Sequence, residues 1–466
     1  MTYEELTDSH FDCRSNKKRS QDSIYFDLHR ERNVRRLLDD FESRSLVPFL
    51  YAFIATKPLY REVIGCKMEN KTIQHWFNGI VKPEVERVLT KSTFNNRIGY
   101  GVDRAIRKVA NDMRRVSCNY TRPCYIVKRD IKAYFPSTNL ERSYDKYRAF
   151  IEARFEEGVL RDDLLYVLQR TVYSYPQEHA RLRSPKFMWD DIIAADKSVV
   201  FGKDPSRGAC LGGEFWQVEK NFALAEFDRY QVETCGLHYT RFVDDMVWVV
   251  DNLQAGLAHV ANSEKMLLEE FGYQMHQKKR HQQHYSKGVT FLGAKIKYNR
   301  VYASDRSIRN CKFAIHRWNR LAYPSMLPHF LDSINSYFGI FKNRNAYGVI
   351  RDMVDEVGLK WLAYCHYNDD RRCFEANAGF TRTELLQKKY HFRLNRTKHE
   401  KTRNRGQKKR PALPRQGQGG EAEGDGLRGG QDRRGGGHEG GVRRRPLAEE
   451  GVARRDQRGR GRGGRA

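Results

Sequence analysis

No stretch of the 466 residues approaches the roughly 20 consecutive apolar side chains that a membrane-spanning helix requires, which argues against a membrane partner. The first twenty residues are polar and mixed in charge, without the apolar core of a secretory signal. The 9 cysteines (Cys13, Cys66, Cys118, Cys124, Cys210, Cys235, Cys311, Cys365 and Cys373) are scattered, with no Cys-x-x-Cys pair. Neither a zinc site nor a disulfide framework is therefore expected, and reduced thiols fit a soluble cytoplasmic protein. There is no internal repeat. From Arg396 to Ala466 aromatics are absent, lysine stops at Lys409, and 18 of the 36 glycines accumulate. Such a segment buries too little apolar surface to offset its ordering entropy, so a disordered basic tail is expected. It reads either as an Arg/Gly-rich RNA-binding arm or as a non-native coding end produced by a frame shift or read-through.

The chain has an excess of positive charge. Its formal net charge is +27, of which 396–466 carries +12, leaving +15 on the rest. The part able to fold is thus basic in its own right, and a polyanion such as nucleic acid is the expected partner.

Against this background the carboxylates Asp244 and Asp245 stand out. They close the tetrapeptide Phe242-Val243-Asp244-Asp245 between the strand-like runs Leu237–Arg241 and Met246–Val250. Adjacent like charges at a hairpin tip repel unless a proton or cation lies between them. A third strand-like run, Cys124–Ile131, carries Asp130 near its end. Three carboxylates on two strand ends suit a pair of divalent ions about 4 Å apart, the arrangement that stabilises both oxygens of an in-line nucleotidyl transfer. Hard cations take oxygen ligands, so two Mg2+ ions, with Mn2+ as a substitute, would be held by Asp130, Asp244 and the Ile131 carbonyl. Asp245 reads as a weaker ligand or an electrostatic support. The plain alternative for any single strand-end Asp is a turn cap; it does not account for all three together.

Other positions fit a nucleotide pocket, each with a bland alternative. Phe135 lies five residues past Asp130, where a ring could underlie a sugar and clash with a 2′ hydroxyl; otherwise it is a core Phe. Arg207-Gly-Ala-Cys-Leu-Gly-Gly213 leads into a helix bearing Gln217 and Asn221. Glycine lets backbone approach a base pair closely, so Leu211, Gly212 and Gly213 are template candidates and Gln217 a nucleotide candidate. Arg61, Arg97 and Lys128 are candidates for the triphosphate. Lys279, next to Lys278, is a candidate proton donor to the leaving pyrophosphate. Any one of these cations could equally be solvated surface. Phe291-Leu292-Gly293 would brace a primer end, or is an ordinary strand entering a turn.

Periodicity predicts helices over Asn33–Phe41, Thr72–Thr90, Val102–Val116, Thr138–Glu157 (capped by Asn139 or Ser137), Glu214–Tyr230 and Leu253–Phe271. Residues 21–60 read as helical and mixed, 158–206 as weakly periodic, Tyr60–Cys66 and Val289–Ile296 as strands, and Ile308–Arg393 as mainly helical.

In their order these segments resemble the reverse transcriptases. Asp130-Ile-Lys-Ala-Tyr-Phe-Pro-Ser137 is similar to the family's first palm motif, Gly208–Asn221 to its template-positioning motif, and Phe242-Val-Asp-Asp245 to its aromatic-x-Asp-Asp box, with Phe for the commoner Tyr. Phe291-Leu-Gly293 is similar to the primer-grip strand, and Arg61-Glu-Val63 and Phe94–Gly101 to fingers motifs. The resemblance covers roughly 50–300. It implies an α+β right-hand polymerase: an N-terminal helical extension (1–50), fingers and an antiparallel-sheet palm (51–300), a helical thumb (301–395), then the tail. It implies RNA-directed DNA synthesis on an RNA template from a DNA or RNA primer with deoxynucleoside triphosphates, in a bacterial or phage retroelement. Ser333-Ile-Asn-Ser-Tyr-Phe-Gly339 resembles a thumb segment of the diversity-generating retroelement enzymes, which would imply a small basic accessory protein. Leu211, where that subgroup often has Ile, and the Gly212-Gly-Glu-Phe-Trp-Gln217 run, which departs from the family's usual pattern, leave retron-like relatives, with a structured non-coding RNA, and intron-type relatives open. Two other readings stand beside it: untemplated or protein-primed DNA synthesis as in phage-defence relatives, and a non-catalytic RNA-binding protein that keeps the palm.

Overall fold

The structure is a computed structural model that describes residues 1–15, 20–56 and 60–385. The expected tail at 396–466 and the end of the expected thumb, 386–395, lie outside the described residues. The part described belongs to one compact unit, Met1–Leu394, of mixed helices and small sheets. Among the described residues no helix is long and apolar enough to cross a membrane.

Strands β1 (Leu50–Ala55) and β2 (Arg61–Cys66) pair antiparallel. Strand β3 (Tyr125–Asp130) comes next in the chain, and the short β4 (Ala180–Leu182) runs parallel to β1. Strands β5 (His238–Phe242) and β6 (Asp245–Val250) form the predicted hairpin. With β7 (His281–His284) they build a four-stranded antiparallel sheet in the order β5-β6-β3-β7. The alternation of side chains along a strand explains how this sheet is held. Met246, Trp248 and Val250 face one core with Val127, Tyr239 and Leu267. Val247 and Val249 face the other with Ile106, Val109 and Met113 of the Val102–Val116 helix. Strand β6 is covered on both faces, which is why its apolar run is nearly unbroken.

Several helices lie where periodicity predicts them. The Leu140–Arg154 helix is capped by Asn139, whose side chain accepts from the Arg142 N–H. Four expectations are corrected. Residues 50–55 form a strand rather than helix. Residues 289–297 form two strands, β8 (Val289–Phe291) and β9 (Ala294–Lys297), because Leu292 and Gly293 take positive φ of 48° and 75° and turn the chain. The 214–230 segment breaks into helices Glu214–Ala223 and Ala225–Arg229. The weakly periodic 158–206 region contains a regular helix, Val159–Val172. Strand β10 (Arg300–Ala303) pairs with β9 and leads into the C-terminal helices. These enclose a core of their own around Trp318, Phe330, Phe338 and Trp361. The run there, expected to be mainly helical, also contains a hairpin of β11 (Cys365–Asn368) and β12 (Cys373–Ala376).

One buried ion pair joins these parts. Arg241 and Asp228 are both fully buried. Arg241 Nη2 donates to Asp228 Oδ2 at 2.6 Å and Nε to Oδ1 at 2.8 Å. Tyr239 Oη and Thr93 Oγ1 also donate to that carboxylate, at 3.0 and 2.6 Å. Removing one partner of such a pair strands a buried charge. Asp228→Ala is therefore expected to cost about 3–5 kcal/mol in a denaturant melt. A loss below about 1 kcal/mol would mean that the pair is not desolvated as described.

Candidate active site

The hairpin tip is built under strain. Val243 has φ +56°, a left-handed value unfavourable for a β-branched residue. The surroundings hold it there: its N–H donates to Asn95 Oδ1 (3.0 Å), and its carbonyl accepts from Arg241 Nη1 (3.2 Å). Asn95 is fixed in turn by Asn221 Nδ2, which donates to its carbonyl at 2.7 Å. Strand β3 is pinned beside the tip. The Ile131 N–H donates to the Asp244 carbonyl (3.0 Å), and the His276 N–H to the Asp130 carbonyl (2.7 Å).

Asp130 lies directly opposite Asp245 in the β3–β6 register. The carboxyl of Asp244 is pushed up from 3.8 to about 6, first by burial, then by the charges of Asp245 and Asp130. The three acids thus converge closely enough to feel one another. Two lysines answer them. Lys279 Nζ donates to both oxygens of Asp130 (2.9 and 3.0 Å), and Lys128 Nζ lies 2.9 Å from Asp245 Oδ1.

Among the described residues no three His, Cys, Asp or Glu side chains are gathered into a group that could by itself hold a metal ion. The donor set still fits Mg2+. It offers hard oxygen atoms, and Mg2+ in such sites keeps waters and substrate phosphate oxygens in its shell instead of taking an all-protein cage. Mutual repulsion at Asp244 supplies a driving force for taking up positive charge.

The remaining candidates divide. Arg61 opens β2 at an exposed position, and its side chain has no hydrogen bond or ion pair among the described residues. Phe135 is half-buried, its carbonyl accepting from Ala209 N–H at 2.9 Å, so the Gly-bearing loop lies against the Asp130 turn. Arg97 is a correction. Its guanidinium donates to Glu86 (2.7 Å) and to the carbonyls of Thr90 (2.6 Å) and Thr93 (2.9 Å), so it is spent inside the fold and not offered to a triphosphate. Lys128 is likewise taken by Asp245. Gln217 is partly buried, and its Nε2 donates to the Leu211 carbonyl at 3.1 Å and braces the loop. The close approach at Gly212 is to protein, since an added Cβ would lie 2.9 Å from Gly65 Cα and from the Ile64 carbonyl oxygen. At Gly213 the neighbour is Gln74. Phe291 is fully buried in the sheet core, which removes its ring from contact with a primer, while Gly293 serves the β8–β9 turn.

Sequence reasoning missed Arg241, Asp228 and Asn95. A buried Arg within an aromatic strand leaves one signal, an unusual charge at an inward position, but its partner lies 13 residues away.

No protein-family model and no curated protein sequence matches the chain. Among solved structures it is similar to apo telomerase from Candida tropicalis truncated from its C-terminal domain (TM-score 0.40, 12% identity, 55% of this chain and 55% of that one). It is also similar to apo telomerase from Candida tropicalis (0.40, 16%, 66% and 56%) and to telomerase from Candida albicans in complex with a TWJ fragment of telomeric RNA (0.36, 10%, 69% and 61%). The match thus spans little more than half the length of those chains. At these scores the likeness is loose and carries no functional argument.

Because the folded-state pKa of Asp244 lies above its ordinary 3.8, at about 6, ionising it destabilises the fold. In chelator, stability from this group is retained at low pH and falls by about 3 kcal/mol as pH rises from roughly 4 to above 6. Asp244→Asn escapes this loss. Its unfolding free energy is expected to gain on the wild type across that window, read by melts at each pH; a difference independent of pH would contradict the clustering of charge.

Proposed function

We propose that this chain is an RNA-directed DNA polymerase, extending a primer 3′ end with deoxynucleotides. The observation that supports it most is the convergence of Asp130, Asp244 and Asp245 on paired strand ends, where burial first, and then the charges of the other two acids, raise Asp244. The order of the motifs along the sequence supports the RNA-templated class, and the +27 charge supports a nucleic-acid partner.

In this reading Asp130, Asp244 and the Ile131 carbonyl hold the metal ions, with Asp245 in support. Two Mg2+ ions, or Mn2+, would supply charge stabilisation to the attacking and leaving oxygens of the in-line displacement. Lys279, released from Asp130, stands at the rim to give a proton to the departing pyrophosphate. Arg61, without a side-chain partner among the described residues, is the cation for the triphosphate. Phe135 underlies the sugar. Gln217 holds the Leu211 loop, and through it Gly212 is set against β2, and Gly213 against Gln74, where a template base would pass.

Two variants test this. Asp244→Asn should abolish Mg2+-dependent extension on a poly(rA) template, by at least about 1000-fold, while leaving RNA affinity intact. Wild-type-like extension by that variant would sink the assignment. Phe135→Val should raise ribonucleotide incorporation relative to deoxynucleotide by roughly 10- to 100-fold. An unchanged ratio would remove Phe135 from the nucleotide pocket.

A further inference from the structure

One charged group lies beneath the Phe135 turn and has no part in the metal site. Lys220, on the Glu214–Ala223 helix, is fully buried. Its ammonium donates to Thr138 Oγ1 and to Tyr273 Oη, the latter at 2.9 Å, and lies 2.9 Å from Glu219 Oε2. Three rings close around it, with centroids 4.8 Å (Tyr134), 5.2 Å (Tyr273) and 5.8 Å (Phe135) from Nζ. All three lie within the range of a cation–π contact. Its carbonyl accepts from Tyr134 Oη (2.7 Å) and Arg241 Nη1 (3.3 Å). Burial opposes the charge, yet Glu219 and Tyr273 outweigh it and the ammonium is held above its ordinary pKa.

A buried ion pair of this kind adds little stability over apolar side chains of the same volume. What it adds is direction: besides Glu219 and Tyr273 it grips Thr138 and lies over the rings of Tyr134 and Phe135, three residues of a single turn. Thr138 closes that turn, donating through its side chain to the Tyr134 carbonyl at 3.0 Å and through its N–H to the Phe135 carbonyl at 3.3 Å. Ala133, at its start, takes φ +48°, a left-handed value that the surroundings must enforce. The ring of Phe135 leaves the backbone between these two points.

We propose that Lys220 is a positioning residue that, through Thr138, Tyr134 and the face of Phe135, fixes the Phe135 ring against the sugar of the incoming nucleotide and so sets discrimination between deoxy- and ribonucleotides. This rests on the reading of Phe135 given above. The cation acts from the side of the ring opposite the nucleotide and touches no substrate. Its effect is expressed in KM and in the sugar ratio, where a merely structural group would lower kcat for both sugars alike.

The test uses the full chain. Lys220→Met alone strands Glu219, so it is paired with Glu219→Gln, and folding is checked by a thermal melt. On one primer–template, kcat and KM are measured separately for a deoxy- and a ribonucleoside triphosphate. Equilibrium binding of both is measured on a dideoxy-terminated primer, which needs no turnover. The pair variant should raise KM for the deoxynucleotide and reduce the deoxy-to-ribo ratio by about 10-fold, in binding as well as in turnover. Should the pair variant lose its melting transition, Thr138→Val, which removes a hydroxyl the ammonium holds, carries the same expectation. A folded variant with the wild-type ratio, or with equal losses for both sugars, overturns the role of Lys220. If Phe135→Val alters the ratio in parallel, the reading of the site survives that failure. If Phe135→Val leaves the ratio unchanged, the site reading fails and this inference fails with it.

Discussion

The structure depends on keeping like charges together. Asp130 and Asp245 are forced opposite each other by the β3–β6 register, and Asp244 sits next to them at the tip of a hairpin. Left alone, three carboxylates in a partly buried corner would repel and spread the strands. The fold answers at two levels. Lys279 and Lys128 pair with the outer two, and Asp244, which has no lysine ion pair among the described residues, has its pKa raised, first by burial and then by the charges of Asp245 and Asp130. Of the two lysines only Lys279 is exposed, and an ion pair with one partner so solvated contributes little to stability.

Behind the acids lies a second, buried layer. Arg241 binds Asp228, reaches the carbonyls of Lys220, Asn221 and Val243, and so ties the Glu214–Ala223 helix to the hairpin tip. Asn95 meets the same tip from the Thr93–Gly101 loop. Strain at Val243 is affordable because these contacts over-determine the turn. The same helix carries Lys220 to the underside of the Asp130–Thr138 turn. One helix therefore references both the carboxylates and the ring of Phe135, and displacement of either is resisted by a shared set of hydrogen bonds.

Much of this was legible in the sequence, for reasons that can be named. The β5–β6 hairpin shows because β6 is buried on both faces and its tip is charged. The Asp130 strand shows for the same reason. The Asn139 cap shows because the side chain that ends the turn is also the one that starts the helix. Strand β1 was hidden: Leu-Tyr-Ala-Phe-Ile-Ala is apolar on both faces, so its alternation is invisible until burial separates Leu50, Ala52 and Ile54 from Tyr51 and Phe53. Strand β7, His-Gln-Gln-His, is an edge strand with no apolar signal, defined only by pairing with β3. The site divides likewise. Local motifs located the acids, but whether Arg97, Gln217 or Phe291 faces solvent or protein depends on contacts distant in sequence. Phe291 is buried, Arg97 pairs with Glu86, and Gln217 donates to the Leu211 carbonyl.

The central claim is that Asp130, Asp244 and Asp245 together form a divalent-cation site for a nucleotide. The most direct test is a Mn2+ titration followed by electron paramagnetic resonance, with a dideoxy-terminated primer on an RNA template and the next deoxynucleoside triphosphate present. The account predicts saturable Mn2+ binding to the wild-type complex that is lost or strongly weakened in Asp130→Asn. Mn2+ binding by Asp130→Asn equal to that of the wild type would contradict it.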